Sequence, residues 1–198
     1  MSTRWRRSLS TRDAIVAAAG DLLDEAGPEA VTLRAVAQRV GLSHNAPYKH
    51  FADKEALLAA VATVELRRRA DAPRPAGSEP LATLKRMVRD NVRWAARHPA
   101  RFKLTYGRWT RHDKDLGEAA HAARMRFVEA VVAAQAVGAL PPGDPERVSA
   151  MLLALGHGAA DLALGGHLSR DGKGHADPED LVDDLFDLIE RAAPGRKS

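Results

Sequence analysis

A chain of 198 residues can hold one domain of ordinary size or two small ones, and 45% hydrophobic with 28% charged residues is the balance of a globular protein. The net charge of +4 leans basic, and the absence of cysteine excludes disulfides, thiolate catalysis and cysteine-bound zinc. No apolar run is long enough to span a bilayer, and Asp13, Asp21 and Asp24 interrupt what an export signal after Arg6-Arg7 would need, so the expected compartment is the cytoplasm.

Period-two alternation is scarce and helical periodicity is nearly continuous, which predicts an all-α fold of about nine helices. Thr11 to Ala26 puts Ile15, Val16, Ala19, Leu22, Leu23 and Ala26 on one face and stops at Gly27-Pro28. Thr32 caps a second helix, Leu33 to Val40, whose apolar residues Leu33, Val36, Ala37 and Val40 follow helical spacing. Gly41 ends it, since glycine accepts the left-handed conformation of a sharp exit. Ser43 offers the next cap, and a short third helix is expected from about His44 to His50. Asp53 caps a fourth, with Glu55 in its first turn and Arg67, Arg68 and Arg69 in its last, both complementing the helix dipole.

The Pro/Gly/Ser-rich stretch Ala72 to Pro80 reads as a boundary between domains over 8–70 and 79–194. Beyond it come Leu81 to His98, an aromatic helix Ala100 to Trp109, Asp115 to Val137, Glu146 to Leu168 and Pro178 to Ala193. A glycine-rich loop, Ser169 to His175, precedes the last.

Helix, glycine turn, polar helix is the helix-turn-helix pattern, whose second helix enters the DNA major groove. Short amphipathic helices around a glycine also occur in plain helical cores. A packing helix, however, has no use for His44, Asn45, Tyr48, Lys49 and His50 so close together. Asparagine and lysine reach base edges, tyrosine and histidine reach phosphate oxygens or thymine methyls, and Lys54 is placed for a further phosphate. Arg4, Arg6, Arg7 and Arg12 lie beside this motif, whereas the charges from Asp177 to Glu190 are all acidic.

Thr11 to Val61 resembles the DNA-binding domain of the TetR/AcrR family of bacterial transcriptional repressors. The resemblance lies in AIVAAAGDLLDEAG, VTLRAVAQRVGLS and PYKHFADKEALLAAV, and most specifically in Tyr48-Lys49-His50-Phe51 followed by Asp53-Lys54-Glu55-Ala56-Leu57-Leu58. It implies that Thr32 and Arg34 hold the phosphate backbone and that Ser43, His44, Asn45 and Ala46 lie closest to base edges. It further implies that Tyr48, His50 and Lys54 clamp phosphates and that Phe51 is core. Pro47 stands where most members have leucine. Proline is tolerated in a first helical turn, and its position leaves open where the third helix starts and which residues from Ser43 to His50, Pro47 and Lys49 included, meet the DNA.

The rest of the chain resembles the family's regulatory domain more weakly, and Gly156-His157-Gly158 is similar to a Trp-His-Gly subgroup without its tryptophan. The eighth predicted helix is apolar almost all round, through Val148, Met151, Leu152, Leu155, Ala159, Leu162 and Leu164, and so needs cover on every face. Ala154, Gly158 and Gly165 permit close approach, and the ninth adds Leu181, Leu185, Phe186, Leu188 and Ile189. A homodimer through helices 8 and 9 of this series is expected, in a four-helix arrangement. Family analogy adds a ligand pocket, with Met87, Asn91, Trp94, Phe102, Tyr106, Trp109, Met125, Phe127 and Met151 as candidate walls and His121 and His157 to orient a polar ligand atom. The same side chains would serve as ordinary core.

His112-Asp113 with His121, and His167 with His175 and Asp177, lack the i, i+4 spacing that puts two ligands on one helical turn, so no metal is expected. No phosphate loop, nucleophile elbow or carboxylate pair supports an enzyme, and no cofactor is called for. The sequence thus predicts a dimeric, sequence-specific regulator on a palindromic double-stranded DNA operator, a repressor released by a small, largely apolar or aromatic effector. The alternative is a constitutive or architectural DNA-binding protein without one.

Overall fold

Residues 10–73, 77–110 and 112–192 are described in the computed structural model, so Arg4, Arg6 and Arg7 of the basic start lie outside the described residues. The described chain forms eight α-helices and two short 3-10 helices, with only an isolated bridge between Ser169 and Gly174 as extended pairing. These residues divide into two compact units, one within Met1–Arg67 and Ala100–Ala120, the other within Arg68–Pro99 and His121–Ser198.

In the N-terminal unit, α1 (Thr11–Ala26) is capped by the Ser10 hydroxyl, which accepts from the Asp13 N–H at 3.1 Å. A 3-10 turn, Pro28–Ala30, leads to α2 (Leu33–Arg39), where Thr32 Oγ1 accepts from the Ala35 N–H at 3.0 Å. Gly41, at φ +70°, closes α2: its N–H donates to Gln38 O and that of Leu42 to Ala37 O. These two bonds satisfy carbonyls that the helix end leaves open. Then α3 (Lys54–Ala70) starts at Asp53, whose carboxylate accepts from the Ala56 N–H at 2.8 Å. Ile15, Leu23, Val31, Val36, Phe51 and Leu57 form the centre of this unit's core. An ion pair between Arg39 and Glu25 ties α2 to α1.

The C-terminal unit packs α4 (Pro80–Arg97) against α7 (Pro145–Leu164) and α8 (Pro178–Ala192), with the second part of α6 (Lys114–Ala136) completing the core. Leu84, Val92, Val131, Val182 and Phe186 are its most deeply buried side chains. Gly156 lets α7 approach α4, since a Cβ there would lie 3.0 Å from Val88 Cγ1. One side of α4 carries Lys85, Arg89 and Arg93 at helical spacing, and α8 answers with Glu179, Asp183 and Asp187. Arg89 bonds Asp183 at 2.7 Å and Glu179 at 2.9 Å, while Lys85 reaches Asp187 at 3.0 Å.

Three expectations are corrected. The third helix, expected from His44 to His50, is a turn over 44–46 followed by a 3-10 helix, Pro47–Lys49, which leaves eight α-helices rather than nine. Pro47 has no N–H to give an α-type bond, and the tighter i to i+3 pattern runs through Ala46 N to Ser43 O, Lys49 N to Ala46 O and His50 N to Pro47 O. The aromatic helix, α5 (Pro99–Thr105), stops well short of Trp109. The chain folds back at Gly107 so tightly that a Cβ would fall 2.6 Å from Lys103 O. Finally, α7 ends at Leu164 rather than Leu168, because Gly165 caps it and Gly166, at φ +71°, turns the chain away.

Candidate nucleic-acid interface

The turn from Ser43 to His50 is exposed along almost its whole length: Ser43, His44, Asn45, Tyr48, Lys49 and His50 all face water, with Tyr48 57% exposed. An aromatic side chain that large in solvent is informative when it stands among polar neighbours. Arg34, in the first turn of α2, joins His44 and Tyr48 around an open depression of about 370 Å³. Arg34 and the turn therefore share one surface, and Thr32, two residues before Arg34, is exposed as well. The Thr32 hydroxyl accepts within its helix cap and keeps its own proton for donation.

Pro47 stands apart from this set. Its ring is fully buried, so it occupies an apolar core position and aims the residues on either side of it outward. Ala46 is half-buried behind the exposed His44 and Asn45. Beneath the turn, Phe51 is 3% exposed, with the Arg12 guanidinium 5.3 Å from its ring centroid. Lys54 lies in the first turn of α3, where its ammonium is 3.4 Å from Glu29, itself an almost fully exposed carboxylate. The arrangement presents exposed hydroxyl, imidazole, amide, phenol and ammonium groups from α2 and the turn after it, the donor set that phosphates and base edges accept.

The candidate ligand residues separate between the units. Phe102, Tyr106 and Trp109 belong to the N-terminal unit, where Phe102 and Tyr106 meet edge to face at 5.3 Å and Trp109 packs against the core. Thr105 Oγ1 and Trp109 Nε1 are buried there without a hydrogen-bond partner. Met87, Asn91, Trp94, His121, Met125, Met151 and His157 belong to the C-terminal unit. His121 is exposed, and Met151, 64% exposed, stands on the outer face of α7. Asn91 and Trp94 do come together, around a residue that sequence reasoning treated only as a helix-dipole complement. The Arg69 guanidinium lies 3.8 Å from the Trp94 ring centroid, and its Nε is 3.4 Å from Asn91 Oδ1. Burial, and then the nearby Arg69 charge, push the His157 imidazole below the usual histidine range, so it is held neutral.

A second residue missed from the sequence is Arg101. Its side chain, 13% exposed, bonds Asp24 at 2.9 Å, Asp21 and Glu65 at 3.1 Å each, and the Gly20 carbonyl at 3.2 Å. Gly20 makes room for it, because a Cβ there would lie 3.0 Å from the guanidinium carbon. A glycine in the middle of an alanine-rich helix was the available signal, since it costs helix stability and so marks a close approach.

Among the described residues no group of three histidine or acidic side chains is placed to hold a metal, and no helix is long and apolar enough to cross a membrane.

Comparison with known proteins agrees with this geometry. Residues 84–189 match the family described as "Tetracyclin repressor-like, C-terminal domain", and residues 15–61 match "Bacterial regulatory proteins, tetR family". A solved structure from Rhodococcus sp. RHA1, described as a protein with unknown function, is 31% identical, covers 96% of this chain and 98% of its own, and superposes with a TM-score of 0.80. A TetR/AcrR family transcriptional regulator from Thermobifida fusca YX-ER1 is 21% identical over 93% of this chain and 98% of its own, with a TM-score of 0.61. The fatty acid degradation regulator FadR from Bacillus halodurans is 15% identical over 96% and 100%, with a TM-score of 0.71. The latter two speak for the fold. No curated protein matches significantly. The chain belongs to the TetR family of bacterial regulatory proteins, DNA-binding transcriptional regulators rather than enzymes.

Proposed function

We propose that this regulator is a homodimeric repressor, released from a palindromic operator by a small, largely apolar or aromatic effector bound in its C-terminal unit. The observation that carries the operator reading is the exposed surface of Arg34, His44 and Tyr48. On this reading Thr32, Arg34, Tyr48, Lys49 and His50 hold phosphates, while Ser43, His44 and Asn45 face base edges and Pro47 sets their direction from the core. Lys54 adds a weaker contact, shared with Glu29.

The dimer reading rests on the outer face of α7. Met151 and Leu162, 64% and 49% exposed, lie on one side of that helix with Ala154, Gly158 and Gly165, and Leu188 on α8 is 58% exposed. A Cβ at Gly158 would meet nothing within 4 Å, so a second helix has room to approach there. An isologous pairing of such faces would bury them, and a two-fold dimer presents two reading turns to successive major grooves, roughly 34–36 Å apart.

Effector response is supported by the Arg69, Asn91 and Trp94 grouping, polar and aromatic, which DNA binding does not require. A mobility-shift titration against DNA flanking the coding region tests the operator reading. Tyr48→Phe combined with His50→Ala is expected to weaken binding about tenfold while the dimer persists. Unchanged affinity would remove the turn from the interface.

A further inference from the structure

Arg12 lies in the first turn of α1, its backbone fixed by the Ser10 cap. The side chain is exposed, and its guanidinium is held over the Phe51 ring, 5.3 Å from the centroid. Phe51 in turn is tied to the exposed polar turn. Its N–H donates to Pro47 O at 2.9 Å, and its ring lies 6.4 Å from that of the exposed His50. One buried aromatic ring therefore has an exposed imidazole from the turn and an exposed guanidinium from α1 beside it.

What holds Arg12 differs from what holds two other cations of the N-terminal unit. Arg39 gives two guanidinium nitrogens to the Glu25 carboxylate, and Lys54 is shared with Glu29 at 3.4 Å. Among the described residues no carboxylate lies within ion-pair distance of Arg12. An aromatic face directs a cation without cancelling its charge or taking up its N–H groups, which stay available to the oxygens of an anion. The helix itself gains nothing from this cation, because a positive charge in the first turn opposes the helix dipole. We infer that Arg12 is a contact to the DNA phosphate backbone, held by Phe51 beside the turn and acting on any base sequence. This rests on the operator reading above and extends that surface onto α1.

The test uses the full-length protein, one duplex of the DNA flanking the coding region and one random duplex of equal length. Fluorescence anisotropy gives the affinity for each over a series of salt concentrations, and thermal unfolding follows every variant. Arg12→Gln is expected to weaken binding to both duplexes about tenfold and to reduce the slope of log affinity against log salt by about one, with Tm unchanged. Arg12→Lys should keep the slope, since the charge remains. Arg39→Gln removes the same charge from an acid-paired arginine and should leave the slope as in the wild type. An unchanged slope in Arg12→Gln overturns the inference. So does an equal loss in Arg39→Gln, which would mean that net charge alone sets the slope. The double variant Tyr48→Phe with His50→Ala separates this inference from the operator reading. If it binds as tightly as the wild type while Arg12→Gln does not, the turn is removed from the interface and the Arg12 contact stands. If it alone is weakened, Arg12 is removed and the turn stands.

Discussion

Arg34 and Asn45 are both exposed, and the proposed interface gives them different work. An arginine on phosphate contributes to any DNA sequence through counterion release, whereas an asparagine on a base edge contributes only where the right base stands. Arg34→Ala should therefore weaken specific and non-specific binding alike, by about tenfold, and reduce the salt slope by about one. Asn45→Ala should cost about 1–3 kcal/mol at the operator and almost nothing on random DNA. Fluorescence anisotropy at several salt concentrations separates the two. Two titrating residues add an acid response in the C-terminal unit. His157 is held neutral, so below about pH 6.5 the unfolded chain takes up a proton that the native state does not, and stability falls with pH. Hydrogen bonds from Arg93, with Arg89, hold Glu179 below the usual carboxylate range, so its contribution is present above that range and is lost as pH falls through its native value. Thermal melts should decline in two steps on acidification, with His157→Gln flattening the first and Glu179→Gln the second. At neutral pH Glu179→Gln should cost about 1 kcal/mol after allowance for its partial exposure, or about 2–4 °C.

Between elements, Arg101 fastens α5 to α1 and α3, and it does so with a guanidinium surrounded by carboxylates, of which Glu65 is 3% exposed. Breaking such a buried pair by removing one partner typically costs about 3–5 kcal/mol, while replacing both partners by apolar residues is often neutral. Arg101→Ala is thus expected to lower denaturation midpoints strongly, and Arg101→Leu with Glu65→Leu to recover most of the loss. If both variants unfold alike, the pair is incidental. The sequence disclosed the eight α-helices and the exposed polar turn between α2 and α3, because Thr32, Gly41 and Asp53 act through local bonds that position along the chain dictates. It did not disclose the 3-10 form of the reading turn. Ser43, a good capping residue, argued for a helix there, and the missing N–H of Pro47 outweighed it. The α4–α8 ladder was half visible: the acidic run from Asp177 was plain, but Lys85, Arg89 and Arg93 make a charged stripe that looks like any solvated helix face. Arg69 and Arg101 were hidden for the same reason. Their roles depend on helices far away in the chain, and nothing local announces them.

At the scale of the whole molecule, the proposed homodimer would read its operator with two copies of one short turn, joined through the α7–α8 face. Leu162 is placed to test the link, being on the outer face of α7 and remote in sequence from the reading turn. Leu162→Asp should weaken the dimer and reduce operator affinity at low protein concentration, while each copy keeps its fold. The most direct measurement is a hydroxyl-radical footprint on the DNA flanking the coding region, taken with the wild-type protein and with Leu162→Asp, Asn45→Ala and His44→Ala. A homodimer on a palindromic operator predicts two protected half-sites about one helical turn apart. It predicts that Leu162→Asp protects them only at much higher concentration, and that Asn45→Ala with His44→Ala loses the preference for them over neighbouring DNA. A single asymmetric patch, or protection unchanged by the loss of His44 and Asn45, would contradict it.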